Sequence, residues 1–175
     1  MSDGQKSVCV FGYGSLIWDT GNVKPAERRE GVLPGWHREW TWISSTRHGA
    51  PTRSLRPGGQ VKGVFLRLEP ATVDKDLEVF RVRENRKTDQ TLADVPELGS
   101  VTHFWTMGSN LDRFPEFTGV RGENLSKALA DRAKSVTKIG NDGVTAQNYI
   151  CRVHEFDPDD GLTTAIAEHL RPSNS

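Results

Sequence analysis

The chain has 175 residues, 35% of them apolar and 26% charged, a length that favours one domain over 1–175 with its core at about 8–170. Its 23 Lys+Arg balance 23 Asp+Glu, which excludes a generic basic surface for nucleic acid or anionic lipid. Five Trp and seven Phe supply bulk for a core and exclude disorder throughout, while no apolar run approaches the roughly 18–20 residues of a membrane span.

Taken in chain order, Met1 to Ser7 lacks the charged lead and apolar stretch of a secretory leader. Ser7 to Phe11 predicts a strand, which Gly12-Tyr13-Gly14-Ser15 breaks into a tight loop. Glu39 to Ser45 predicts a second strand, with Trp40, Trp42 and Ser44 alternating onto one face. The turn signal Pro57-Gly58-Gly59 leads into a third, Gln60 to Leu68, whose apolar residues on both faces suit a curved or barrel-like sheet. After Pro70 the period changes: Val73, Leu77, Phe80 and Glu84 share one helical face. Val101 to Met107 predicts a fourth strand. Glu123 to Ile139 predicts a helix striped by Leu125, Leu129, Arg132 or Ala133, and Val136 and closed by Gly140. Thr145 is an N-cap for a helix that buries Ala146, Tyr149, Ile150 and Val153 and stops by Asp157-Pro158. Leu162 to Leu170 is a last helix, and Arg171 to Ser175 a polar tail. This order predicts an α+β domain: a mixed, partly closed, mostly antiparallel sheet with flanking helices.

Two features carry chemistry. Glycines on either side of Tyr13 permit positive φ, so backbone N–H groups of the loop can converge on a carboxylate, a phosphate or a developing oxyanion. The loop has no Gly-x-Gly-x-x-Gly and no following Lys, which disfavours nucleotide phosphate; a plain tight turn fits the same spacing. Glu84 sits among Arg81, Arg83 and Arg86, as a solvated helix surface would, yet it shares the face of Leu77 and Phe80. A carboxylate turned inward suits a general acid/base. Other groups read as structure. Ser15 has no nucleophile elbow to join His37, His48 or His103 in a triad, and the histidines lack metal-ligand spacing. Cys9 and Cys151 lie in apolar segments and read as small core hydrophobes of a reduced, cytoplasmic protein.

The stretch Val10-Phe11-Gly12-Tyr13-Gly14-Ser15-Leu16-Ile17-Trp18 resembles the opening of the ChaC-like γ-glutamylcyclotransferases, whose hallmark is Tyr-Gly-Ser-Leu after a first strand. In matching order, Gly35-Trp36-His37-Arg38, Ser44 to Pro51, Pro57-Gly58-Gly59 through Val64, Val82-Arg83-Glu84, Ala130 to Ala133 and Asn148-Tyr149-Ile150 are similar to later segments of that family. The resemblance covers roughly 8 to 170. It implies an enzyme in which the α-amine of a γ-glutamyl compound, such as glutathione or a γ-glutamyl peptide or amine, attacks its own γ-carbonyl and releases 5-oxoproline. Glu84 is then the catalytic acid/base, and Tyr13, Gly14, Ser15 and Leu16 hold the substrate; Tyr149 either adds a hydroxyl or packs in the core. No metal or organic cofactor is implied, and no nucleic acid or membrane partner. The chain departs from the family pattern at Asn85 to Asp89 and at Arg47-His48-Gly49. Two alternatives stand beside the cyclotransferase: a non-catalytic binding module for a small molecule or peptide on the same fold, and a hydrolytic or amine-transfer relative.

Overall fold

A computed structural model describes residues 8–84, 89–95, 98–105, 108–139 and 143–172. Its regular elements are β1 (Cys9–Gly12), β2 (Glu27–Ser44), β3 (Ala50–Arg67), α1 (Val73–Arg83), β4 (Asp89–Val95), β5 (Gly99–Trp105), α2 (Gly122–Ser135), α3 (Ala146–Phe156) and α4 (Gly161–Leu170). The strands form one mixed sheet in the order β2-β3-β1-β5-β4. β1 runs antiparallel to β3, with Cys9 opposite Arg67, and parallel to β5, with Phe11 beside His103. β4 is antiparallel to β5. The architecture is α+β, as the order of elements predicts.

The chain divides into two compact units, Met1–His37 with Leu55–Met107, and Arg38–Ser54 with Gly108–Ser175. In the first, Cys9, Phe11, Tyr13, Leu33, Leu55, Val61, Phe65, Val95 and Val101 form one buried cluster. Leu33 comes from one edge strand and Val95 from the other. In a flat sheet those edges stand about 19 Å apart, four strand spacings. One buried cluster thus runs across the face of the sheet from edge to edge through Leu55, Phe65, Phe11 and Val101, and in the pairing order β2 and β4 remain edges, so the sheet is open.

Two strands are longer than their sequence signals. Pro57-Gly58-Gly59 does not reverse the chain: β3 runs through it, with Gly58 at φ 103° and Gly59 at φ 70°. Consecutive residues of positive φ kink a strand without ending it, and the Gly58 carbonyl meets His37 Nδ1 at 3.1 Å. β2 begins at Glu27 rather than Glu39. Its first half is mostly exposed, with Leu33 alone buried, so no apolar alternation announces it. β4 is unheralded too, its sequence being mostly polar.

In the second unit, α4 packs against α2 and α3. The hydroxyl of Thr145 accepts the Asn148 N–H at 3.1 Å and starts α3 where expected. The Asp160 carboxylate accepts the Thr163 N–H at 3.1 Å and starts α4. α2 ends at Ser135, short of the expected Ile139, because Val136 leaves the helix at φ −105°, ψ 101° while staying buried. Gly140, expected to close that helix, lies outside the described residues, as do Met1 to Ser7, Met107, the end of the polar tail and the departure at Asn85 to Thr88. The second half of β2 is fastened to the α3–α4 junction. Buried Arg38 donates to Asp157 at 2.9 Å and Asp160 at 2.5 Å, and Trp40 Nε1 donates to Thr163 Oγ1 at 2.8 Å.

Candidate active site

β1 lies between β3 and β5, and all four of its residues are buried, so the residues beyond it are delivered to a fixed place at the end of the sheet. Tyr13 continues into the core, and Ser15–Ile17 makes one buried 3-10 turn. The turn closes on itself through three N–H groups: Ile17 donates to the Gly14 carbonyl at 2.8 Å, and Trp18 and Asp19 donate to the Ser15 carbonyl at 3.1 and 2.8 Å. Arg28 holds the Ile17 carbonyl at 2.7 Å. The N–H groups of Gly14, Ser15 and Leu16 make no hydrogen bond among the described residues. The Ser15 hydroxyl is also buried without a partner there. A cluster of unused donors therefore leads the turn.

The glycines earn this geometry differently from the positive-φ expectation, since neither Gly12 nor Gly14 has positive φ. Gly12 is needed for close approach. A Cβ there would stand 2.7 Å from Leu16 Cβ and 3.1 Å from Val64 Cγ2, so a larger residue would push the turn off the strand end.

Glu84 follows the last residue of α1, its N–H donating to the Phe80 carbonyl at 2.9 Å. The periodicity holds: Leu77 and Phe80 are buried, and Val73 and Glu84 half-buried. The Glu84 carboxylate makes no hydrogen bond or ion pair among the described residues. Its neighbour Arg83 donates to Asp19 at 2.8 Å, and Asp19 also accepts the Gly21 N–H at 2.8 Å. The Arg83 hydrogen bond holds the Asp19 carboxyl below its usual range. The end of α1 is thus tied to the chain just past the turn.

Tyr149 stands in the second unit, 3% exposed, with its ring edge-on to Trp40 at 6.2 Å and beneath the Arg53 guanidinium at 4.6 Å. That packing accounts for its position on the buried face of α3. Burial pushes the Cys9 thiol up to about 11 and raises that of half-buried Cys151, so neither is a ready thiolate. No group of three His, Cys, Asp or Glu among the described residues has the geometry to hold a metal ion. No described helix is long and apolar enough to cross a membrane. A groove of about 490 Å³ in the second unit, lined in part by Asn124, Lys127, Asp131 and Arg132, contains none of the expected site residues.

Sequence reasoning passed over His103 as anything but a failed metal ligand or triad member. It is wholly buried, and burial pushes its pKa down to about 4, so the ring is neutral. Neither ring nitrogen has a hydrogen-bond partner among the described residues, and the ring meets Trp36 edge-on at 4.6 Å. The available signal was alternation: His103 falls two residues after buried Val101 on the same strand face.

The sequence from 8 to 102 matches the family model described as ChaC-like protein. The glutathione-specific gamma-glutamylcyclotransferase of Escherichia coli (strain K12) is 35% identical over 82 residues, a stretch that is 44% of this chain and 35% of that protein's length. Two crystal structures of the gamma-glutamyl cyclotransferase specific to glutathione from yeast share the fold. One aligns with a TM-score of 0.69 at 15% identity, covering 94% of this chain and 95% of that one. The other gives 0.68 at 13% identity, covering 94% and 98%.

Proposed function

This chain belongs to the ChaC-like protein family, and from that premise we propose that it is a γ-glutamylcyclotransferase that releases 5-oxoproline from glutathione or a close γ-glutamyl relative. The observation that carries the reading is the turn after β1: a family-matching Tyr13-Gly14-Ser15-Leu16 whose N–H groups at 14, 15 and 16 donate to nothing among the described residues. Donors left free at a rigid strand end suit an anionic group or a developing oxyanion.

The reaction needs few parts because nucleophile and electrophile belong to one molecule, so folding the glutamyl chain supplies proximity. Glu84 takes a proton from the α-ammonium. The freed amine attacks the γ-carbonyl carbon, and the loop N–H groups stabilise charge on the carbonyl oxygen. Glu84 then returns that proton to the departing nitrogen as the γ-amide C–N bond breaks, and the second proton, shed by the attacking nitrogen once it is bonded to the carbonyl carbon, passes to the released amine, leaving a neutral lactam and an ammonium. The unpaired state of the Glu84 carboxylate supports this role, since no protein cation competes for it among the described residues. Glutathione is the favoured substrate because the E. coli relative and the yeast structures carry that specificity in their names. A reduced cytoplasmic setting belongs to the same reading and fits the two free thiols, Cys9 and Cys151.

An assay of product from glutathione, γ-glutamyl dipeptides and γ-glutamyl amines tests this. The expected outcome is 5-oxoproline with glutathione as the best substrate. Free glutamate in its place would identify a hydrolase, and binding without any product a non-catalytic module.

A further inference from the structure

We propose that His103 is a further substrate-binding residue, a buried imidazole that hydrogen-bonds the amino-acid head of the γ-glutamyl compound. The assignment rests on the cyclotransferase reading and adds to it a contact that neither the turn nor Glu84 supplies.

Three observations converge. The first is the unmet hydrogen bonding. His103 is 0% exposed, and both Nδ1 and Nε2 are without a partner among the described residues. Buried polar groups in folded proteins are nearly always paired, and an isolated one is destabilising relative to an apolar residue of similar shape. Phenylalanine would fill the same space against Trp36 without that cost. The imidazole is therefore poorly explained as packing.

The second is placement. β1 and β5 are parallel neighbours, with Cys9 beside Val101 and Phe11 beside His103. Both strands run toward the same end of the sheet, and the turn begins two residues beyond Phe11. At about 3.3 Å per residue, the His103 position lies roughly 10 Å along the strands from the level of Gly14. Cys9, Phe11, Tyr13 and Val101 all belong to the interior cluster, so alternation puts His103 on that interior side.

The third is company. Ser15 Oγ, at the head of the turn, is also buried and without a partner among the described residues, its residue 9% exposed. Two orphaned side chains and three undonated N–H groups thus belong to the same end of adjacent strands in one unit. A largely apolar wall with a few unmatched polar groups is the make-up of a small-molecule site.

The chemistry of the ring names the ligand group. A neutral imidazole has one acceptor and one N–H donor. An α-amino acid head presents an ammonium that donates and a carboxylate that accepts. An imidazolium would repel the ammonium; the uncharged ring does not.

The test compares wild type with His103→Phe, which keeps the shape, and His103→Gln, which keeps one donor and one acceptor. With glutathione as substrate, KM is expected to rise about tenfold or more in His103→Phe, with a smaller change in kcat and undiminished thermal stability. His103→Gln recovers part of the loss. A folded His103→Phe with wild-type KM overturns the assignment and leaves the cyclotransferase reading intact. Independently, the ring ¹⁵N resonances of His103 in the wild-type protein are followed as glutathione is added. Should wild type release no 5-oxoproline, the reaction reading falls, and the titration decides His103: shifted ring resonances uphold it, unmoved ones overturn it. Should His103→Phe not fold, His103→Gln and the same titration decide in the same way.

Discussion

Glu84 is set apart from Arg83 and Arg81 beside it by its lack of a partner among the described residues. Arg83 is engaged by Asp19 and Arg81 faces Glu78 at 3.7 Å, whereas the Glu84 carboxylate touches no cation among the described residues. Replacing it with Gln keeps size and polarity but removes proton exchange. We expect 5-oxoproline release by Glu84→Gln to fall about 100- to 10,000-fold, with an unchanged circular dichroism spectrum; near-normal turnover by the folded variant would refute the mechanism. Gly12 makes a different demand. Gly12→Ala places a methyl 2.7 Å from Leu16 Cβ, overpacking that typically costs about 1–3 kcal/mol. Both stability to urea and turnover should drop, because the strand end and the donor-bearing turn move together. The half-buried placement of Glu84 was legible from helical period, and a tight turn after β1 from its glycines, though not the close approach that requires Gly12. His103 was not, because nothing in a lone histidine on a strand tells whether its nitrogens find partners.

Among the elements, α1 was the most legible: Leu77 and Phe80 are buried where a period of 3.6 puts them. Thr145 and Asp157-Pro158 likewise bracketed α3, since capping and proline act locally. β2 and β3 were less legible for a converse reason. Their extra length rests on pairing between strands, which overrides the local turn preference of Pro57-Gly58-Gly59. The least visible feature was the buried ion triad of Arg38, Asp157 and Asp160, whose arginine lies more than a hundred residues from its two carboxylates in sequence. Arg38→Met strands two buried carboxylates, and we expect a loss of about 3–5 kcal/mol, read from the urea midpoint. Adding Asp157→Asn and Asp160→Asn should recover much of it. A single variant as stable as wild type would show the triad to be idle.

For the whole molecule, His103 couples folding to pH. Its native pKa, about 4, lies below the ordinary value of 6.5 because burial penalises the charged ring. Between those values the unfolded chain binds the proton and the native chain does not, so stability rises with pH there. The contribution is complete above pH 6.5 and is lost as pH falls toward 4. Asp19, lowered by Arg83 from 3.8, acts in the same direction but in a more acidic window. Urea denaturation followed from pH 7 to pH 4 should show a progressive loss that His103→Phe flattens; an equal slope in both proteins would assign the effect to other groups.

The two compact units are also interleaved in sequence, because each is assembled from separate stretches of chain. The excursion Arg38–Ser54 leaves the first unit in the middle of one long strand and returns in the middle of the next. Modularity is thereby forfeited. A fragment ending at Met107 would carry Arg38 and Trp40 away from Asp157, Asp160 and Thr163; a fragment starting at Gly108 would lack the hairpin tip that those residues grip. Neither half is a cassette that recombination can splice onto another gene, so insertions and fusions are confined to the ends of the chain and to exposed loop tips, and the parts of this fold are inherited together.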